Sequence, residues 1–151
     1  MRIAIYTLGC KVNQYETQAM EQELAAQGHE LLDFEQAADA YIINTCSVTA
    51  VSDKKSRQMI RRAKKRNPAA IIAACGCYVQ THTDEAKSLG IDLIGGTGQR
   101  MEFLHQLLTA AEERQTRVLV DDALRRDDFE ILPAGGQHSR TRAMLKVEDG
   151  C

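Results

Sequence analysis

Three cysteines stand where chemistry could be done: Cys10 after Gly9, Cys46 after Thr45, and Cys77 after Gly76. Each follows an apolar run that reads as a strand, and each precedes a stretch that can turn into a helix. In an open parallel sheet the carboxyl ends of the strands share a crevice where ligands bind. Three such turns can therefore gather thiols that are remote in sequence. Three thiolates on one point make a metal site. An iron–sulfur cluster suits them best, because such clusters are held by cysteine thiolates. With three protein ligands, one iron keeps an open position for chemistry. Glycine beside Cys10 and Cys77 fits this reading, since backbone that passes close to a cluster leaves no room for a Cβ. Zinc is the competing metal, with His82 or His29 as its fourth ligand. Cys75 lies two residues before Cys77 but still belongs to an apolar run, so it reads as core.

Two amides lie near these thiols. Asn13 and Asn44 could donate to cluster sulfurs and tune a potential. The plainer reading is helix capping for Asn13, with Glu16 completing a capping box, and strand-end hydrogen bonding for Asn44. Gly95-Gly96-Thr97-Gly98 reads as a turn, because it lacks the Lys-Ser/Thr of a phosphate loop and the GxGxxG spacing.

The elements that must position these residues alternate. Strands are expected over 2–8, 29–33, 41–44, 69–74, 91–94 and 117–120. Helices are expected from Asn13 to Gly28, 53–66, 83–89 and 100–114. The first helix carries Val12, Tyr15, Ala19, Met20 and Leu24 on one face. The second buries Ser56, Met59, Ile60 and Ala63. The last carries Met101, Leu104, Leu107, Leu108 and Ala111. This alternation predicts an α/β fold, a mostly parallel sheet flanked by helices in a flavodoxin- or Rossmann-like three-layer arrangement. A domain over 1–120 is followed by a polar, glycine-containing linker over 121–141. The first strand of a second domain begins at 142–151. The chain stops on Cys151 directly after a turn glycine, which reads as a fragment of a longer protein.

The helix over 53–66 sets eight cations (Lys54, Lys55, Arg57, Arg61, Arg62, Lys64, Lys65 and Arg66) against the single acid Asp53. That imbalance suggests contact with a phosphate backbone, for which Lys54, Lys55, Arg57 and Arg61 are the candidates. Any such attraction is local, because the whole chain has a net charge of −2. Its 151 residues are 44% hydrophobic and 26% charged, the profile of a globular domain. There is no apolar run long enough to span a membrane and no signal peptide. The expected location is cytoplasmic. There, five cysteines bind metal or do redox chemistry more readily than they pair.

Thr7-Leu8-Gly9-Cys10-Lys11-Val12-Asn13-Gln14-Tyr15-Glu16-Thr17, Asn44-Thr45-Cys46-Ser47-Val48-Thr49 and Gly76-Cys77-Tyr78-Val79-Gln80 together resemble the N-terminal domain of the radical-SAM methylthiotransferases. The resemblance implies that Cys10, Cys46 and Cys77 hold an auxiliary [4Fe–4S] cluster. It implies that Cys151 is the first ligand of a second, radical-SAM cluster whose other ligands lie beyond this chain. Gly9-Cys10-Lys11-Val12-Asn13 and Asp53-Lys54-Lys55-Ser56-Arg57 resemble the branch acting on N6-threonylcarbamoyladenosine in tRNA. Other branches act on isopentenyladenosine in tRNA or on a ribosomal-protein aspartate. The full-length enzyme so implied uses S-adenosyl-L-methionine, tRNA and an electron donor to add a 2-methylthio group beside the anticodon, and the fragment by itself is expected to be inactive. The contrasting reading is a non-enzymatic α/β RNA-binding or redox module with structural cysteines.

Overall fold

The computed structural model describes residues 1–113, 116–126, 129–132 and 147, with backbone alone for 111–113. In chain order the elements are β1 (Arg2–Thr7), α1 (Lys11–Ala26), β2 (Glu30–Leu32), β3 (Ala40–Thr45), α2 (Ala50–Arg66), β4 (Ile71–Gly76), α3 (Cys77–Thr81), α4 (Thr83–Ser88), β5 (Leu93–Gly95), α5 (Arg100–Glu113) and β6 (Arg117–Leu119). The six strands pair in parallel in the order β2-β1-β3-β4-β5-β6. The order reverses between β1 and β3, which makes their carboxyl ends the topological switch point, where sheets of this kind bind ligands.

Alternation along the strands builds two cores. On one face Ala4, Tyr41, Ile43, Ile72, Ala74 and Ile94 pack under α2, α3 and α4 with Met59, Ile60, Ala63 and Tyr78. On the other face Ile3, Ile42, Ala73, Cys75 and Leu93 pack under α1 and α5 with Met20, Leu24, Phe103, Leu104 and Leu107. The result is the expected three-layer α/β arrangement, with both faces of the sheet covered.

The helix ends follow from local chemistry. In α1, Gly28 N–H donates to Ala25 O and His29 N–H to Leu24 O, the paired bonds of a Schellman stop. Thr49 caps α2, its hydroxyl accepting from Ser52 N at 3.1 Å. Asn67-Pro68 ends α2, since proline cannot continue a helix. The buried residues of α2 are Ser56, Met59, Ile60 and Ala63, the stripe the sequence predicts.

Three sequence expectations change. Asn13 does not cap α1: the N-cap is Cys10, and Asn13 lies inside the helix and is buried. Glu16 makes no capping box, because its carboxylate is drawn inward to Arg100. The buried stripe of α5 is Phe103, Leu104, Leu107 and Ala110; Met101 and Leu108 are only half buried, and the side chain of Ala111 lies outside the described residues.

Part of the segment expected as a linker lies against the domain. Leu132 is buried beside Tyr15 and Ala19, and its carbonyl accepts from Tyr15 Oη at 3.2 Å. The Glu130 carboxylate accepts from Arg100 N at 3.0 Å and Met101 N at 3.2 Å, and so caps α5 from outside the helix. Residues 133–146 and 148–151, including Cys151 and most of the expected second-domain strand, lie outside the described residues.

Candidate metal centre at the carboxyl edge of the sheet

The strands β1, β3 and β4 are neighbours, and their register aligns Thr7 with Asn44, Asn44 with Cys75, and Thr45 with Gly76. Cys46 directly follows Thr45 and Cys77 directly follows Gly76, while Cys10 stands three residues past Thr7. The three cysteine turns therefore leave adjacent strands at one edge. Cys46 is buried, and Cys10 and Cys77 are half exposed. None of the four cysteines among the described residues is in a disulfide.

The turns touch one another. Gly9 has φ +95°, and a Cβ there would lie 2.6 Å from Cys46 Sγ. Gly76 has φ +99°, and a Cβ there would lie 2.4 Å from Thr45 O. Both positions need glycine twice over, for the left-handed backbone and for the close approach. Thr45 Oγ1 donates to Cys75 O at 2.7 Å, joining the second turn to the third.

A buried amide pair joins the first turn to the second. Asn13 Nδ2 donates to Leu8 O at 2.7 Å and to Thr45 O at 2.9 Å. Asn44 Nδ2 donates to Asn13 O at 3.0 Å and to Thr17 Oγ1 at 3.2 Å. Thr7 Oγ1 in turn donates to Thr17 Oγ1 at 2.7 Å. Each amide has two N–H bonds, and both are spent on protein acceptors. Donation from Asn13 or Asn44 to a cluster sulfur, one sequence expectation, is therefore replaced by a role in holding the cysteine-bearing backbone. Asn44 Oδ1 is buried without a hydrogen-bond partner and faces Gly76, 2.8 Å from where a Cβ would stand.

The donor set fits an iron–sulfur cluster: three soft thiol ligands on three neighbouring turns, with backbone drawn close by glycine. Among the described residues no three His, Cys, Asp or Glu side chains gather to hold a single metal ion. A cluster asks something different, since each thiolate meets its own iron. Of the two histidines weighed as zinc ligands, His29 sits at the opposite edge, its Nδ1 3.4 Å from the Met1 amine. The His82 ring stacks on Tyr78 at 5.2 Å, and its Nδ1 lies 2.8 Å from Thr81 Oγ1. Cys75 points away from the edge into the core with Phe103 and Leu93. Burial pushes its thiol up to about 11, so it stays protonated and inert at neutral pH.

The glycine run after β5 is a turn. Gly96 N–H is bound to Leu119 O and Thr97 N–H to Gln80 Oε1, so these donors are not free for a phosphate. Its carbonyl at Gly96 accepts from Arg100 Nη1 at 2.6 Å.

That bond belongs to a buried charge pair the sequence reading missed. Arg100 and Glu16 are 1% and 3% exposed, and Arg100 donates through Nε at 3.1 Å and Nη2 at 2.7 Å to the same Glu16 oxygen. Burial by itself would lower the pKa of Arg100; Cys75 and Glu16 outweigh it and the value is raised. The pair locks α1, whose N-terminus carries Cys10, to the first turn of α5. One signal was available: an arginine in a helix's first turn faces an unfavourable dipole, so it needs a compensating partner.

The cations of α2 divide. Arg57 lies 3.5 Å from Glu85 and over the Tyr78 ring at 5.8 Å. Arg62 pairs with Glu35 at 2.7 Å, and Arg66 joins the same carboxylate. Lys64 donates to Gly90 O at 3.0 Å. Lys54, Lys55, Arg61 and Lys65 are exposed.

Comparison with known proteins adds the identity. Residues 2–96 match the model of a family described as uncharacterized protein family UPF0004. The chain belongs to this family. A relative from Bacillus subtilis, named threonylcarbamoyladenosine tRNA methylthiotransferase MtaB, is 45% identical over 99% of this chain and 33% of its own length. A protein of the same name from Aquifex aeolicus is 39% identical over all of this chain and 37% of its own. A Roseiflexus protein named ribosomal protein uS12 methylthiotransferase RimO is 28% identical over all of this chain and 36% of its own. The chain thus spans about a third of the length of the relatives it matches. Among the described residues no helix is long and apolar enough to cross a membrane.

Proposed function

We propose that this chain is the cluster-holding domain of a tRNA methylthiotransferase, one that adds a 2-methylthio group to N6-threonylcarbamoyladenosine beside the anticodon. Cys10, Cys46 and Cys77 would hold a [4Fe–4S] cluster, which when bound supplies an iron with an open position from which sulfur can be delivered. Cys151 would begin the ligand set of a second cluster that uses S-adenosyl-L-methionine. An electron donor and a cytoplasmic setting follow from that chemistry. The fragment without its second cluster is inactive.

The observation that carries this reading is the alignment of the three cysteine turns on adjacent strands at the switch point. The chain's own residues serve that arrangement. Gly9 and Gly76 let the backbone approach, Asn13 and Thr45 set the spacing of the turns, and the Glu16–Arg100 pair anchors the helix that starts at Cys10. The tRNA assignment is supported by the relatives at 45% and 39% identity, against 28% for the one named for a ribosomal protein.

Anaerobic reconstitution of the chain is expected to give about four irons and four sulfides per molecule, as the [4Fe–4S] type requires. Cys46→Ala abolishes stable binding, and retained stoichiometry in that variant overturns the ligand assignment. The full-length protein assayed on tRNA and on ribosomal protein decides the substrate.

A further inference from the structure

We propose that the outward face of α2 is a seat for the double-helical stem of an RNA hairpin, with backbone phosphates on Lys54, Lys55, Arg61 and Lys65. The proposal rests on the reading of the chain as part of a tRNA-modifying enzyme and extends it to a surface.

Three observations carry it. First, the cations of α2 are not equivalent. Arg57, Arg62, Lys64 and Arg66 are occupied within the domain. Lys54, Lys55, Arg61 and Lys65 are exposed, and no hydrogen bond or ion pair engages them among the described residues. At 100° per residue, Lys54, Arg61 and Lys65 fall within one narrow sector, opposite the buried Ser56, Met59, Ile60 and Ala63. They run about 16 Å along the helix axis, at 1.5 Å per residue. Asp53, the helix's one acid, is half buried and off this line.

Second, the stripe is aimed. The helix follows Cys46 and its cap Thr49, so Lys54 and Lys55 stand near the cysteine edge and Lys65 stands away from it. A hairpin whose loop lies at that edge would have its stem run back along α2.

Third, the chemistry of the face selects a stem. The other exposed residues of α2 are Ala50, Val51, Gln58, Arg62 and Lys64, with no aromatic among them. Single-stranded RNA is held largely by bases stacked on aromatic rings, whereas a double-helical stem is held through its backbone. A basic face without rings suits the second.

The test uses the full-length protein, with binding measured over a salt series. The probes are an RNA hairpin with the sequence of a substrate anticodon arm and an unpaired RNA of equal length. Neutralising three contacts, with Lys54→Gln, Arg61→Gln and Lys65→Gln together, is expected to lower the slope of log K against log salt for the hairpin by about 2–3, at roughly 0.7–0.9 per phosphate contact. Arg2→Gln, a cation already paired with Asp39 at 2.8 Å, leaves the slope unchanged. Iron and sulfide content of the triple variant equals that of the parent. An unchanged hairpin slope overturns the proposal, as does an equal loss for the unpaired RNA. A parent protein that takes up no cluster overturns the proposed function instead, and the iron measurement separates the two failures.

Discussion

Asn13 donates a 2.9 Å hydrogen bond to the carbonyl of Thr45, the residue directly before Cys46. Asn13 itself sits three residues after Cys10, so one buried amide ties two cysteine turns together across 32 positions of sequence. The same nitrogen also reaches Leu8 O, behind Gly9.

Asn13→Ala is therefore expected to be costly. It strands two buried carbonyls, each worth roughly 1–3 kcal/mol when left unsatisfied. Urea denaturation should show a loss of about 2–6 kcal/mol from those two groups. Asn13→Asp should be worse, because it turns a carboxylate toward the two carbonyls. Lys11→Ala, at the exposed start of the same helix, is the reference. A loss for Asn13→Ala no larger than that of Lys11→Ala would show that the amide does not hold the turns.

The Glu16–Arg100 pair should behave as a unit. Arg100→Met takes the guanidinium away from the buried Glu16 carboxylate, and breaking a buried ion pair typically costs about 3–5 kcal/mol. Pairing it with Glu16→Leu removes the buried negative charge as well and should recover much of that loss. Simple additivity of the two single losses would refute the coupling, since contacting residues show interaction terms of roughly 0.5–3 kcal/mol.

The glycines should rank by space as well as by backbone. Gly28 has φ +82° but nothing within 4 Å of where a Cβ would stand, so Gly28→Ala carries only conformational strain, about 1–2 kcal/mol. Gly76→Ala adds a clash with Thr45 O at 2.4 Å, a backbone atom that cannot step aside. Thermal unfolding should place Gly76→Ala well below Gly28→Ala. Equal melting temperatures would mean that the third turn is looser than its geometry.

Acid should act on the segment after β6. Arg126 bonds to the Asp121 carboxylate and to Thr97 Oγ1 at 2.9 Å, and this partner lowers the pKa of Asp121. A carboxyl depressed in the folded state contributes stability above its unfolded value, near 3.9. That contribution is lost as the pH falls through the lower folded value. The pair is partly exposed, so the effect is below about 1 kcal/mol. The protection factors of amides 121–126, exchange being referred to the intrinsic rate at each pH, should fall on acidification below about pH 4, near the unfolded carboxylate value. Asp121→Asn should remove that dependence; if it persists, another group is responsible.

Much of this molecule is written locally along the chain. The stripe Ser56, Met59, Ile60 and Ala63, the Gly28 stop and the short apolar strands all arise from interactions within a few residues, so periodicity and stop chemistry predict them. The three cysteine turns are legible for the same reason, because a strand, a glycine and a thiol are near neighbours in sequence. Tertiary structure alone decided which strands lie side by side, and so which turns meet. It also decided the partners of buried polar groups. Asn13 has the composition of a cap and Glu16 the spacing of a capping box, yet both face inward. Asn13 finds Thr45 there, and Glu16 finds Arg100, 84 residues away. Helical period says that a side chain faces the interior; it carries no information about what waits there. Desolvation makes that partner obligatory for a polar group, and only the folded chain supplies it.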